Sequence, residues 1–166
     1  MLQKRIIPVL LFKRQGLVKG VKFRNHRYIG DSMNAIKILN DKMVDEIIFL
    51  DIDATSEARS IDLNLVEKIA NECYVPFTVG GGITSINQIK GLLKAGAEKI
   101  SINTFSHDNS DFIKEASDFF GSSSIVVSVD VGIDWLGREK IFSENGRKKV
   151  KKKIIDWVGE IENSGA

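Results

Sequence analysis

Polar residues and glycines recur along the chain at matching points, each directly after a short apolar segment. In chain order they are Asp51, Gly80–Gly82, Asn103–Thr104 and Asp130. Carboxylates can carry protons, whereas amides, hydroxyls and bare glycine N–H groups can bind anions. This repetition predicts one site assembled from the ends of several strands.

Gly80–Gly82 precedes a helix that we expect to begin near Ser85. Bare N–H groups beside a helix N-terminus favour a bound anion. A tight turn that merely requires positive φ values is an equally good interpretation of three glycines alone. Asn103 and Thr104 offer further donors at the next strand end, so phosphate binding, with Gly81 and Gly82, is the favoured hypothesis.

The carboxylates differ in what their surroundings indicate. Asp130 lies in an otherwise apolar run, and a buried carboxylate is costly unless it is paired or functional. It is therefore the strongest catalytic candidate. Asp51, closely followed by Asp53, can orient a substrate or bond neighbouring backbone, and we favour the structural role.

Lys19 lies in Gly16–Gly20, which we predict to be a loop able to reach over the site. It can contact a substrate phosphate, or it can be a solvated loop lysine. The residues alone favour the solvated lysine, because Lys13 and Lys22 are nearby.

Five short apolar segments and five amphipathic segments alternate along the chain, which predicts repeated βα units and a parallel sheet. The predicted strands are Ile6–Phe12, Glu46–Asp51, Phe77–Gly80, Lys99–Asn103 and Ile125–Asp130. The predicted helices are Met33–Lys42, Leu63–Glu72, Ile86–Ala95, Asp111–Phe120 and Val150–Asn163. Their predicted N-caps are Asp31 or Ser32, Asp62 and Ser85 for the first three.

A (β/α)8 barrel explains the polar strand ends better than an open doubly wound sheet does. Catalytic groups of a barrel gather at the carboxyl ends of its strands. A dinucleotide-binding sheet requires Gly-x-Gly-x-x-Gly after its first strand, and Phe12–Gly20 holds only Gly16 and Gly20. We therefore expect one barrel domain over residues 1–166, incomplete because about 250 residues are usual for this α/β fold.

Composition indicates a soluble, cytoplasmic protein. The 166 residues carry 24 Lys and Arg against 22 Asp and Glu, a net charge of +2, which gives no reason to expect nucleic acid as a partner. The single cysteine cannot form an internal disulfide, and no apolar run is long enough to cross a membrane. No metal site or cofactor is expected, since His26 and His107 lack other ligands at suitable spacing.

Several motifs together resemble the HisF family, the cyclase subunit of imidazole glycerol phosphate synthase in histidine biosynthesis. They are Lys4–Pro8, Gly16–Gly20, Phe49–Asp51, Pro76–Ile83, Ala95–Thr104 and Val126–Asp130. The resemblance covers the whole chain and corresponds to the first five of eight βα units. It implies a (β/α)8 fold and a truncated or partial chain.

The resemblance also implies a chemistry. HisF proteins receive ammonia from a glutaminase (HisH-like) partner and convert a phosphorylated ribulosyl aminoimidazole carboxamide into imidazole glycerol phosphate and the carboxamide ribotide. Two carboxylates act as general acid and base, and Asp130 matches the second. Gly81, Gly82, Asn103 and Thr104 match one phosphate site, and Lys19 and Asp51 match positions near the substrate.

Three charged residues open three predicted strands: Arg5, Glu46 and Lys99. By themselves they indicate solvated strand ends with weak surface pairing. The resemblance implies that they belong to a ring of charges that gates ammonia entry at the face where the glutaminase docks.

Leu11 occupies the position of the family's first catalytic carboxylate. Leucine cannot transfer a proton, and loss of such a group typically costs about a hundredfold to ten-thousandfold in rate. The substitution resembles HisF-like paralogues found with surface-polysaccharide genes, which supply ammonia to a sugar amidotransferase. A non-catalytic conduit that only activates its glutaminase is the other alternative.

An incomplete barrel would expose unpaired strand edges. We expect the chain alone to be poorly soluble or oligomeric, and a half-barrel that dimerises is a further possibility.

The remaining features favour structural interpretations. The basic run Arg147–Lys153 is interpreted as a solvated helix start, because no aromatic interleaving accompanies it. Cys73 is expected to pack as a small apolar residue on the second helix, and Trp157 is expected in the core.

Overall fold

The computed structural model describes residues 4–14 and 16–166. Its first sheet has seven strands in the order β3-β2-β1-β4-β5-β6-β7, and its second has three in the order β10-β9-β8. The strands are β1 Val9–Lys13, β2 Gly16–Val21, β3 Arg24–Gly30, β4 Ile47–Asp51, β5 Phe77–Gly80, β6 Lys99–Ile102, β7 Ile125–Val127, β8 Asp130–Ile133, β9 Glu139–Ser143 and β10 Lys148–Lys149. The helices are α1 Ser32–Asp41, α2 Leu63–Glu72, α3 Ile86–Lys94, α4 Thr104–Asp108, α5 Asp111–Phe120 and α6 Ile154–Asn163.

The predicted α/β class is confirmed, and the sheet follows the barrel pattern. Strands β1, β4, β5, β6 and β7 pair in parallel, each beside the preceding parallel strand in the chain. A doubly wound sheet reverses its strand order at a switch point, and this order does not reverse. Successive βα units in one direction are the arrangement of a (β/α)8 barrel.

The side chains of the parallel strands separate two faces of the sheet. Ile47, Phe49 and Val79 point to one face and are fully buried against α1, α2, α3 and α5 in the main core. The alternate residues of these strands, among them Leu50 and Thr78, point to the opposite face, here called the inner face. Helices cover only one face, so the inner face is free to form a site.

Helix starts follow the predicted caps. Asp31 accepts from the N–H of Asn34 at 3.0 Å, and Asp62 accepts from the N–H of Asn64 at 2.9 Å. Ser85 and Gln88 form a reciprocal capping box at the start of α3. These bonds satisfy N–H groups that the first helical turn leaves without intrahelical partners.

The first strand begins later than predicted, because Ile6–Phe12 was expected and Val9–Lys13 is observed. Pro8 has no N–H and cannot complete a strand ladder. Its carbonyl nevertheless accepts from the N–H of Ile48 at 2.9 Å, so the preceding segment still lies beside β4.

The predicted loop around Lys19 is wrong. Residues 16–21 form β2, which pairs with β1 and β3 in an antiparallel hairpin. Gly16 and Gly20 at the two ends of the segment suggested a loop. In the structure, the backbone N–H and C=O groups of β2 and β3 form hydrogen bonds between the strands.

The fifth predicted strand and fifth predicted helix are both too long. Strand β7 ends at Val127, and the chain then enters a separate antiparallel sheet that begins at Asp130. Helix α6 begins at Ile154, and Lys153 before it is extended with ψ 147°. The basic run 147–153 is therefore not a helix start; part of it forms β10, which pairs with β9.

Both predictions of packing residues hold in substance. Trp157 is fully buried, in a second core cluster with Ile113 and Ile141. Cys73 directly follows α2 and is half-buried against the main core.

Candidate functional site

A cavity of about 710 Å³ lies at the carboxyl ends of the parallel strands. Six of the predicted site residues line it, together with Leu11: Asp51, Gly81, Gly82, Asn103, Thr104 and Asp130. The polar strand ends therefore converge, as the barrel hypothesis requires. Lys19 is exposed on β2 opposite Arg27 and does not line this cavity.

Asp130 is half-buried at the cavity wall, as the first residue of β8 rather than the last residue of the fifth parallel strand. Burial raises its pKa above the ordinary value, and a hydrogen bond from the Asn103 side chain partly opposes this shift. A raised pKa makes a carboxyl group a better proton donor or acceptor for a nearby ligand than an ordinary, fully ionised carboxylate.

Asn103 occupies the junction between β6 and α4. Its side-chain oxygen is buried and has no hydrogen-bond partner among the described residues. Chain direction changes at this residue, with φ −131° and ψ −93°, which explains why β6 ends one residue earlier than predicted. An amide that contacts Asp130 and holds a free acceptor is suited to orient a polar ligand.

Asp51 has a different environment, although it is more deeply buried, with 4% exposed. One carboxylate oxygen accepts from the Arg59 guanidinium at 2.5 Å. The other accepts from the N–H groups of Asp53 at 3.1 Å and Ala54 at 3.2 Å. The Asp51 hydrogen bond also raises the pKa of Arg59, which stays charged.

Close packing explains two of the glycines. A Cβ on Gly82 would lie 1.8 Å from the Arg59 carbonyl oxygen, and one on Gly81 would lie 2.6 Å from that of Asp51. Their φ values are +62° and +134°. The glycines thus hold the turn after β5 against the segment 51–59, whatever further role their N–H groups have.

Thr104 connects the cavity to the second sheet. Its hydroxyl oxygen accepts from the N–H of Glu144 at 3.2 Å, and the Asn145 side chain donates to the Ile52 carbonyl at 2.5 Å. These bonds hold the turn between β9 and β10 over the edge of the cavity.

Leu11 lies on β1 beside Leu50 of β4, and both side chains line the cavity. The position that the resemblance assigns to a carboxylate thus contributes an apolar wall. Asp130 is on the opposite side of the parallel strand series, after β7.

At the amino ends of the strands, Arg5, Glu46 and Lys99 form one ion cluster. The Arg5 guanidinium bonds one Glu46 oxygen, and the Lys99 ammonium lies 2.9 Å from the other. Glu46 is only 9% exposed. The interpretation as solvated strand ends with weak surface pairing is therefore wrong, because Glu46 is buried between two cations.

The matching family is described as histidine biosynthesis protein, and the match covers residues 5–166. The chain belongs to this family. The (β/α)8 fold expected from the strand-end pattern is the fold of the family.

Curated relatives align along nearly the whole chain. It is 41% identical, over 99% of its length, to a Pseudomonas aeruginosa protein with the provisional name imidazole glycerol phosphate synthase subunit hisF2. Imidazole glycerol phosphate synthase subunit HisF from Thermococcus onnurineus is 41% identical and that from Pyrococcus furiosus 42%, each over 100% of the chain. The chain spans 66% of the length of each of these relatives.

Some contributors to this family member's cavity were not foreseen. Arg59 lies in a segment without helical or strand periodicity. Its distance from Asp51 along the sequence gave no indication of the bond between the two side chains. His26 and Asn145 come from hairpins that the βα pattern did not include. The Asn145-Gly146 pair, which is typical of tight hairpin turns, was the available signal for the second of these hairpins.

Within residues 4–14 and 16–166, no group of three or more His, Cys, Asp or Glu side chains gathers in a metal-binding arrangement. No helix in the same ranges has the length and apolar character to span a membrane.

Proposed function

We propose that this chain is the HisF-type synthase part of a glutamine amidotransferase, which uses ammonia from a glutaminase to transform a phosphorylated substrate. The family's reaction is the formation of imidazole glycerol phosphate. One observation carries the proposal. The cavity with Asp130 and the ion cluster of Glu46 lie at opposite ends of one inner sheet face.

Small polar side chains occupy the interval between these two ends. Thr78 of β5 and Ser101 of β6 are both buried and point to the inner face. Ser101 bonds Ser128, and both of these serines line the cavity. Hydroxyl groups can exchange hydrogen bonds with ammonia, so this interval supports a path for a small neutral nucleophile.

The proposed roles follow from the site geometry. Gly81, Gly82, Asn103 and Thr104 bind a substrate phosphate, and Asp51 supports the glycine turn. Asp130 transfers a proton: its carboxylic acid form delivers one to a departing nitrogen, or its carboxylate form accepts one from the attacking nitrogen. Leu11 cannot share this work.

Turnover tests the cyclase proposal directly. The purified protein is given ammonium and the ribulosyl aminoimidazole substrate, and loss of substrate absorbance is followed. We expect slow or absent turnover in the unmodified protein and a gain in Leu11→Asp of about a hundredfold or more.

The matched control is Leu50→Asp, which adds a carboxylate at the same level on the neighbouring strand. A gain in Leu11→Asp alone supports a two-carboxylate geometry. Equal gains in both variants, or none in either although the substrate binds, contradict the cyclase assignment.

Leu11 is the specific observation that favours a second candidate, a paralogue that passes ammonia to a sugar amidotransferase or serves only as a glutaminase-activating conduit. In that case the protein stimulates glutamine hydrolysis by its glutaminase, while Leu11→Asp and Asp130→Asn leave this stimulation unchanged. Purification of the glutaminase complex with and without the amidotransferase separates these two roles.

The gate role predicts a separable effect at the ion cluster. Glu46→Gln leaves Arg5 and Lys99 without their shared carboxylate, so glutamine-dependent activity should fall severalfold while activity with free ammonium changes less. Glu98→Gln, beside Lys99 but outside the cluster's bonds, is the control. Equal losses with both nitrogen sources would contradict a role in ammonia entry.

A further inference from the structure

Two turns meet beside the cavity at the carboxyl ends of the parallel strands, which we call the main cavity. The turn between β2 and β3 contains Lys22 and Phe23, and the turn between β9 and β10 contains Glu144–Gly146. The Phe23 ring lies against Gly146, where an added Cβ would come within 2.9 Å of the ring. The second turn is also bonded to Thr104 and Ile52, so the junction has a fixed geometry.

A second cavity of about 590 Å³ lies at this junction. Among the described residues, every titratable side chain that lines it is basic: Lys13, Lys22, Arg24, His26 and Arg147. These side chains come from β1, the two hairpin strands or their turn, and the end of the second turn. We call this cavity the basic cleft.

Most of the cations in the basic cleft have no counter-ion in the described part of the chain. Lys13 pairs with Asp53 at 3.2 Å, whereas Lys22, Arg24 and Arg147 form no ion pair within residues 4–14 and 16–166. Glu144, in the adjacent turn, pairs with Lys148 at 3.7 Å. Like charges that share a cleft repel each other, and a bound anion removes this repulsion.

The basic cleft is continuous with the main cavity. Lys22, Phe23, His26 and Asn145 line both. A ligand in the main cavity can therefore extend between the two turns. The glycine turn and Asn103 line only the main cavity, so an anion in the cleft is separate from one at the strand ends.

We propose that the basic cleft binds a diphosphate group of an extended ligand. A monophosphate carries about −1.5 to −2 charge near neutral pH, which leaves at least one of the three cations uncompensated. A diphosphate attached to its ligand at one end adds a second ionised phosphoryl group and so carries enough charge for all three, and guanidinium groups present paired donors that match phosphoryl oxygens. This assignment rests on the two turns and does not depend on the proposed reaction.

Titration calorimetry of the 166-residue chain with inorganic pyrophosphate tests the proposal without turnover. Arg24 and Arg27 are both exposed arginines on β3, and only Arg24 lines the basic cleft. Arg24→Gln should weaken pyrophosphate binding about tenfold or more, as loss of a charge-assisted hydrogen bond requires, and Arg27→Gln should change it less than about twofold.

Arg147→Gln and Lys151→Gln form a second pair with the same expected contrast. Orthophosphate should bind more weakly than pyrophosphate. Absence of pyrophosphate binding, or equal losses in Arg24→Gln and Arg27→Gln, would each overturn the proposal.

Since no substrate or nitrogen source enters these titrations, a failed cyclase assay leaves their result intact. Pyrophosphate binding that fails while Leu11→Asp gains turnover would remove the cleft proposal alone.

Discussion

Asp51 and Asp130 line the same cavity, yet their surroundings differ. Asp51 is almost completely buried, and both of its oxygens accept hydrogen bonds, from Arg59 and from two backbone N–H groups. Asp130 is less buried. Burial raises its pKa, and the hydrogen bond from the Asn103 amide partly opposes that rise. Burial alone therefore does not identify a reactive carboxylate. The reactive candidate is the half-buried carboxylate that has few hydrogen-bond donors and, within the described ranges, no cation beside it.

The contrast divides the cavity into a supporting side and a reactive side. Around Asp51, the segment 51–59 and the glycine turn fix one another through a salt bridge and close backbone contacts. Around Asp130, the Asn103 side-chain oxygen is left without a partner among the described residues. Unsatisfied polar groups cost stability, so their presence at one side of a cavity points to a role with a ligand.

The largest difference should be seen in activity. Asp130→Asn keeps the shape of the side chain but cannot exchange a proton at carboxylate pKa, so turnover of Leu11→Asp protein should fall by about a hundredfold to ten-thousandfold. The free energy of unfolding should change by no more than about 0.5 kcal/mol, since Asp130 forms no ion pair with any residue that the structure describes. Retention of activity in this variant would remove Asp130 from the chemistry.

The next largest difference should be seen in stability. Asp51→Asn weakens the bonds to Arg59 and to two N–H groups, and hydrogen bonds to charged groups contribute about 1.5–3 kcal/mol. Because the Arg59 side chain is 37% exposed and can be rehydrated, we expect a loss near the lower end of that range. Urea unfolding measures this loss.

Arg59→Met provides the second side of a double-mutant cycle for that pair. A coupling energy near zero between Asp51 and Arg59 would contradict the supporting role, as would a loss of stability in Asp130→Asn as large as that in Asp51→Asn.

The sequence predicted the parallel part of the fold well because each of its elements carries a local signal. Phe77–Gly80, Leu63–Glu72 and Asp111–Phe120 have the predicted bounds, set by apolar runs, an Asp cap and Gly121. Antiparallel pairing of residues 16–30 and 130–149 was not predicted, because these strands mix polar and apolar residues and lack the continuous apolar runs of the buried parallel strands.

The sequence predicted which residues gather at the candidate site, but it did not predict the hydrogen bonds and ion pairs among them. Parallel strands bring their carboxyl ends to one edge, which is sufficient to gather Asp51, Asn103 and Asp130. Which carboxylate receives a cation depends on a loop residue, Arg59, whose approach is determined by tertiary packing against Gly82. The cation cluster of the basic cleft likewise depends on two hairpin turns that meet only in the folded chain.

The smallest expected effect is a pH dependence of stability that belongs to Asp130. Its pKa is about 3.8 when unfolded and higher when folded, so the folded chain retains this proton while the unfolded chain has released it. The contribution is fully present below pH 3.8 and is lost as pH rises through the raised pKa, above which the curve is flat.

Urea unfolding of the unmodified chain and Asp130→Asn at a series of pH values from about 3.5 to 8 isolates this contribution, because the other groups cancel in the difference. The free energy of unfolding of the unmodified chain minus that of Asp130→Asn should fall as pH rises. A rise in this difference would mean that a cation lowers the pKa of Asp130. In Leu11→Asp a second carboxylate enters the cavity, and its negative charge should raise the pKa of Asp130 further. The fall in the stability difference should then extend to higher pH. If the pH range of the fall is unchanged, residues 11 and 130 are too far apart to act as a pair.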